Sequence, residues 1–562
     1  MAARGEERSS AEQSVPVIVV GGGPVGLMVA LDLARHGVRS VLVNTDETHR
    51  VFPKGNTHNA RTMEHYRRLG LAECVRAAGL PPGHATDVGY FTRLNGYELT
   101  RIRMPSSREK LAVVGCDGAA DQGPEPIHRA NQMYVEAILL EHAGGVPAIE
   151  LRYGWRCVEF DDDGDAVRVV IEHHADGRRE ELRGRYLVGC DGGQSFVRRR
   201  LGIRYEGEAS LDQPFFGGAM VSTHLRATGL MGHLAHAPCW MYWTLNRDSR
   251  TQLITLDGTG EYVLQTKLPP QGRVPRPEEA VAVVQRSVGA DVGVEVLGQG
   301  TWTAGQALVA ETYGAGRVLL CGDAAHLFTP TGGFGMNTGI DDAANLAWKL
   351  AAVEQGWGGE GLLDTYETER RPIAQRNTSA AHRFARSVGE VPVAAEIEED
   401  SEAGAAARRT ASAYLSTFGE EFASTGVQLG ARYDASPLIA SDETPPTDDP
   451  AVYTPSACPG GRAPHVWLEP GRSLFDALGP GFTLLCLRAP GDDAHRLRVA
   501  ARQRGVPLTL VGITVPEARE LYGRNYALVR PDQHVAWRGD RVPNDAKSLL
   551  DRVTGARETS TV

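Results

Sequence analysis

Residues 15–20 (VPVIVV) form a short, wholly apolar run that ends directly in Gly21-Gly22-Gly23-Pro24-Val25-Gly26. An apolar run of this length, stopped by glycines, reads as a buried parallel strand. Residues 27–36 then carry apolar side chains at helical spacing and stop at Gly37, and residues 41–43 read as a second strand. Strand, GxGxxG turn, helix and strand in that order make a βαβ unit that binds a dinucleotide. Gly21 permits the tight turn, Gly23 lets the backbone approach a pyrophosphate, and Gly26 lets the helix pack close to the strand. The unpaired N–H groups of the first helical turn then face the phosphates. An acid usually grips the ribose at the end of the second strand. Here Asn44 stands at that position, with Asp46 as the alternative.

With 562 residues the chain exceeds one ordinary core, so two or three domains are expected. The expected division is a polar tail at 1–14 and a dinucleotide-binding domain over 15–85, 105–205 and 305–395. A β-sheet substrate domain takes 86–104 and 206–304, a helical linker 396–430, and a separate α/β domain 431–562. A formal net charge of -11 argues against nucleic acid and anionic membranes as partners. No apolar run approaches the ~18 residues of a membrane helix, and residues 1–14 lack the pattern of a secretory signal. Eight cysteines without a CxxC pair predict neither a metal site nor a disulfide framework, but free thiols in a cytoplasmic protein.

Two further motifs bear on the site. One is Gly189-Cys190-Asp191-Gly192-Gly193, placed after a strand. The other is Gly322-Asp323-Ala324-Ala325-His326 followed by Pro330-Thr331-Gly332-Gly333-Phe334-Gly335-Met336-Asn337, with a long helix expected over 341–353. A strand that delivers Asp323 beside a glycine loop opening a helix suits a sugar hydroxyl next to a bound ring system. No second GxGxxG occurs, since Gly258-Thr259-Gly260 lies in a β-rich stretch, so a second dinucleotide would visit without a domain of its own.

In this order and at these separations, the three motifs resemble the single-component flavoprotein aromatic hydroxylases of the para-hydroxybenzoate hydroxylase fold, as do RTMEHYRRLG (61–70) and LLDTYETERRPIA (362–374). PGGRAPHVWL (459–468), SLFDALGPGFTLL (473–485) and LVRPDQHVAWRG (528–539) are similar to the C-terminal thioredoxin-like extension of phenol and polyketide hydroxylases. The resemblance implies an α/β architecture: a Rossmann-like FAD domain, a β-sheet substrate domain, and a thioredoxin-like domain that, without CxxC, does no dithiol chemistry. It implies an NADH- or NADPH-driven monooxygenase that uses molecular oxygen through a flavin C4a-hydroperoxide to hydroxylate a phenol or a polycyclic polyketide of antibiotic biosynthesis. Epoxidation, ring opening, Baeyer–Villiger insertion and a non-catalytic ligand-sequestering flavoprotein remain as alternatives. The expected oligomeric state is a monomer or homodimer.

By the same resemblance, Gly21, Gly23, Pro24, Val25 and Gly26 would hold the FAD pyrophosphate and Asn44 the adenosine ribose. Lys54 stands where the family commonly has Arg near the pyrophosphate, and Gln132 would meet the ribityl chain. Asp191 belongs to the motif shared between FAD and NAD(P)H, and Asp323 would bind the ribityl chain. Gly335, Met336 and Asn337 would edge the isoalloxazine, with Pro330 over its reacting side. A base that helps remove the phenol proton is expected, with His224, His233, His236 and Tyr242 as candidates. The cluster Trp240-Met241-Tyr242-Trp243 would wall the substrate cavity, strand alternation putting Trp240 and Tyr242 on one face and Trp243 on the other.

Overall fold

The computed structural model describes residues 14–115, 122–213 and 215–556. The expected tail over 1–14 therefore lies outside the described residues, apart from Ser14, which opens the first strand. That strand, Ser14–Val20, lies in an eight-stranded sheet between Arg179–Gly189 and Ser40–Asn44, parallel to both. Val318–Leu320 extends the parallel order on one side and Ile149–Tyr153 on the other, while Trp155–Asp162 and Val167–His173 form an antiparallel branch. Helix Pro24–Arg35 packs Leu27, Met28, Val29 and Leu33 into the core with essentially no exposure.

The long helix runs Phe334–Glu354 and so begins at Phe334, earlier than the glycine-rich sequence suggested. Gly339 sits inside it because a Cβ there would meet Val25 Cγ2 at 2.7 Å and Gly322 Cα at 2.9 Å. The missing side chain lets this helix press against the nucleotide loop, which offsets the propensity cost of glycine, ~1 kcal/mol.

A second, seven-stranded sheet has the order Glu295–Ala304, Gly218–Arg226, Glu261–Lys267, Arg250–Thr255, Met241–Leu245, Val88–Phe91 and Glu98–Ile102. One face carries Met220, Met241, Trp243, Ile254 and Val263; the other carries Leu225, Tyr242, Leu253, Tyr262 and Leu264 beneath helix Pro277–Val288. Helices Glu402–Leu415 and Gly419–Ala423 flank the short turn holding Phe418 and cover part of the first face, Phe418 lying edge-on to Tyr90 with ring centroids 6.2 Å apart.

The C-terminal unit arranges strands as Leu508–Gly512, Phe482–Cys486, Tyr526–Val529 and Val535–Gly539, with only the first pair parallel. With helices Asp492–Gln503 and Ala546–Val553, this is a thioredoxin-like arrangement. Buried charges clamp it to the rest. Arg530 donates to both Glu369 oxygens at 2.6 and 2.7 Å, and Lys349 reaches the same carboxylate at 2.7 Å. Arg462 pairs with Glu64 in the same way. Removing one partner of such a buried pair costs ~3–5 kcal/mol. The seven cysteines among the described residues are all unpaired, and no helix among the described residues is long and apolar enough to cross a membrane.

Candidate functional site

A cavity of about 920 Å³ opens between the two large sheets. Its first part is built by the GxGxxG turn. Gly21 adopts a left-handed φ of 113°, and a Cβ there would lie 2.3 Å from Cys190 O. At Gly26 a Cβ would meet Gly21 O at 1.9 Å, so Gly26 serves close packing and does not line the cavity. Gly23 differs: a Cβ there would meet nothing within 4 Å. Its open side, with the uncapped first turn of Pro24–Arg35, forms a cradle for a pyrophosphate. Pro24 and Val25 line the same cavity.

Asn44 lines it too, but its Oδ1 accepts from Gly22 N–H at 2.9 Å, so the amide oxygen holds the loop itself. Tyr153 Oη donates to Gly22 O at 2.8 Å from the other side. Gln132 is steered by a 2.5 Å bond from its Nε2 to Glu136. Lys54 lines the cavity, where burial pulls its ammonium below the ordinary lysine range despite Asp323 and Glu136 nearby.

Two acids meet this cradle with capacity to spare. Asp191 Oδ2 accepts from Val197 N–H at 3.0 Å, while Oδ1 is buried without a partner. The Asp323 carboxylate has no hydrogen-bond partner among the described residues, although its carbonyl accepts from Tyr205 Oη at 2.5 Å. The ribose and ribityl hydroxyls of FAD would donate to these unpartnered acceptors while its pyrophosphate accepts from the N–H groups of the glycine cradle, so these residues fit the cofactor.

Pro330 starts a turn in which Gly332 and Gly333 take left-handed φ values of 73° and 68°. Pro330, Gly335 and Met336 line the cavity, whereas Asn337 does not. The Asn337 amide donates to Thr57 O at 2.9 Å and to Gly333 O at 2.5 Å, and its oxygen accepts from Asn59 N–H at 3.0 Å. Asn337 thus positions the loop without edging the cavity.

Beyond Pro330 the walls are Phe216, Trp240, Met241, Ile254 and Trp302. Arg129 lies over Trp240, its guanidinium carbon 4.0 Å from the ring centroid, and donates to Thr57 Oγ1. Burial draws its pKa down to about 10. Phe216 holds φ of 57°, a rare backbone state for a bulky residue, costing ~1–3 kcal/mol and kept only where the surroundings enforce it. Glu421 also lines the cavity, is 8% exposed, and accepts from Gly332 N–H at 3.3 Å. Burial pushes its carboxyl up to about 7, against the opposing pull of that hydrogen bond and of Arg129.

Four of the expected substrate-side residues need correction. Tyr242 does not line the cavity; it lies on the opposite sheet face against Phe91, and its hydroxyl accepts from Cys239 N–H at 2.8 Å. Trp243 points to the cavity face but sits behind Phe216, stacked on Tyr90 at 5.9 Å. The alternation failed because the strand starts at Met241, leaving Trp240 outside it and clustered with Met241 and Trp243. His224 stands outside the cavity beyond Phe52, with Nε2 3.5 Å from Glu261. His236 is likewise elsewhere, bonded to Gly96 O at 2.8 Å. Arg129, Glu421, Gln252 and Gln265 were not anticipated. They lie scattered along the chain with no motif around them.

Comparison with known proteins agrees with this geometry. A family model described as FAD binding domain matches residues 14–381, and one described as aromatic-ring hydroxylase, C-terminal, matches 456–556. The FAD-dependent monooxygenase apdD of Emericella nidulans is 32% identical over 96% of this chain and 90% of its own length. Among solved structures, RebC with bound 7-carboxy-K252c superposes with a TM-score of 0.87 at 35% identity, over 97% of this chain and all of that one. Aklavinone-11 hydroxylase in ternary complex with FAD and aklavinone gives a TM-score of 0.81 at 30% identity, over 97% of this chain and all of that one. A cradle shaped for FAD, an adjoining aromatic-walled cavity and both domain matches lead to one conclusion: the chain belongs to the FAD-dependent aromatic-ring monooxygenases, with NAD(P)H as the reductant typical of that family.

Proposed function

We propose that the protein hydroxylates a planar polycyclic phenol or aromatic polyketide, held against Trp240 and Phe216 beside the Pro330 loop. The observation that carries this is the continuity of one cavity of about 920 Å³ from the glycine cradle to a wall of aromatic rings. Aklavinone, the polycyclic ligand of one structural relative, is of the proposed class. FAD held there, with electrons from NADH or NADPH, would activate molecular oxygen for transfer of one atom to the ring. The residues of the chain do the rest.

Gly21, Gly23, Pro24 and Val25 hold the pyrophosphate, with Lys54 alongside. Gln132, Asp191 and Asp323 take the sugar and ribityl hydroxyls, Asn44 shapes the loop beside the adenosine ribose, and Pro330, Gly335 and Met336 border the ring. Gly26 and Asn337 act by packing and by fixing the loop. Trp240, Phe216, Met241 and Trp302 exclude water, which protects reactive oxygen from being lost as peroxide. Glu421 accepts the phenolic proton of the substrate on its carboxylate, leaving an electron-rich phenolate ring. A base is most effective with a pKa near the working pH, and a carboxyl at about 7 meets that need. The division proposed is a FAD domain around the first sheet, a substrate domain around the second and a C-terminal thioredoxin-like unit without a redox role. The unpaired cysteines support a reducing, cytoplasmic setting.

The test is NAD(P)H consumption by the holoenzyme with and without hydroxynaphthalenes and hydroxyanthraquinones. Stimulation by at least one polycyclic phenol is expected; a rate indifferent to all of them would count against the reading.

A further inference from the structure

The face of the second sheet that meets the cavity carries an unusual polar row. Strand register sets Gln252, Gln265 and Ser222 side by side on three neighbouring strands, ending at Gly300. On the same strands and the same face, Ile254, Val263 and Met220 are apolar neighbours. Burying polar side chains among such neighbours costs free energy unless their hydrogen-bonding groups are used.

The chain itself uses only part of them. Ser222 Oγ donates to Gln265 Oε1 at 2.7 Å, and Trp302 Nε1 donates to the same oxygen at 2.9 Å. An indole nitrogen can only donate, so the atom it meets must be the amide oxygen, and the Gln265 amide has one orientation. Its Nε2 group therefore faces away from both donors and has no partner among the described residues. Gln265 lines the cavity and is half-buried, so the open side of that donor is the cavity. Beside it, Gln252 Nε2 meets only Met241 Sδ at 3.2 Å, a weak acceptor.

We infer that Gln265 is a specificity-determining residue: locked by Ser222 and Trp302, it presents a fixed N–H donor to a carbonyl oxygen of the substrate. Ring systems bearing a quinone- or ketone-type oxygen are then preferred over the same rings without one. A site built to donate to a carbonyl discriminates because an analogue lacking that oxygen leaves the buried N–H unpaired. The inference rests on the proposed reading that the cavity takes an aromatic phenol.

The experiment is equilibrium binding to the oxidised holoenzyme, followed by flavin absorbance, without NAD(P)H. The probes are 1-hydroxyanthraquinone and 1-hydroxyanthracene, three-ring phenols that differ in their carbonyls. Wild-type protein should bind the quinone about tenfold more tightly. Gln265→Leu should erase that preference while leaving 1-hydroxyanthracene unchanged, and Gln265→Glu, which offers only acceptors when ionised, should invert it. If Gln265→Leu fails to fold, Trp302→Phe, which removes one lock on the amide, should reduce the ratio instead. Equal affinity in wild type, or an unchanged ratio in the variants, overturns the role of Gln265 and leaves the phenol reading standing. Failure of both probes to bind wild type overturns the phenol reading and the inference with it.

Discussion

The backbone N–H of Gly332 donates to Glu421 Oε1 at 3.3 Å, tying a buried carboxyl to the loop that begins at Pro330. The segment around Glu421 reads in sequence as a helical connector, yet it supplies a wall of the cavity and a carboxyl pushed up to about 7 by burial. Arg129 and Tyr90 are the other ionisable groups that face it.

A carboxyl raised to about 7 is protonated below that pH and cannot accept a proton there. Turnover should therefore rise with pH through about 7 and level off above it. Glu421→Gln keeps the shape and the bond from Gly332 but removes the base. At pH 8 its kcat should fall about a hundredfold and the rise through pH 7 should vanish. A variant with the wild-type pH profile would show that the proton leaves by another route.

Asp323→Ala should lose flavin. Its carboxylate has no hydrogen-bond partner among the described residues, so removing it disturbs no bond there, and a charged acceptor for a ribityl hydroxyl is worth ~1.5–3 kcal/mol. Titrating the apoprotein with FAD should show the corresponding loss of affinity. Wild-type affinity in this variant would remove Asp323 from the site.

Trp240 and Tyr242 should separate cleanly. Trp240→Ala opens the cavity wall beneath Arg129, so NAD(P)H oxidation should continue while more oxygen leaves as hydrogen peroxide. Tyr242→Phe removes the acceptor of Cys239 N–H on the far face, which should cost ~1 kcal/mol of stability and leave the coupling ratio alone. Peroxide yield per NAD(P)H checks both; uncoupling by Tyr242→Phe would contradict the placement of the two rings.

The separation of these two aromatics shows how far the sequence could be read. The glycine turn, the loops carrying Asp191 and Asp323, and the Pro330 loop were legible because left-handed backbone at Gly21, Gly192, Gly322, Gly332 and Gly333 calls for glycine, and nearby residues in sequence are neighbours in space. The alternation at 240–243 misled because period two holds only inside a strand, and Trp240 precedes it. Gly339 hid a turn of helix, since a glycine required by close packing looks like a loop. Arg129, Gln265 and Glu421 meet only through tertiary packing of three distant segments, which no local pattern records.

Cys458 and Cys486 are buried and unpaired in the C-terminal unit, too far from any second thiol in sequence to form a CxxC pair. Replacing both with Ser should leave turnover within a few-fold of wild type. A large fall in kcat with folding intact would assign that unit a redox role.

Incorporation of labelled dioxygen tests the proposed function most directly. Purified holoenzyme, NAD(P)H and a polycyclic phenol that stimulates turnover should give a product carrying one oxygen atom from the labelled gas, with the label on the aromatic ring system. A product bearing only oxygen from water, or complete recovery of the consumed reductant as hydrogen peroxide with the phenol unchanged, would contradict a monooxygenase role for this chain.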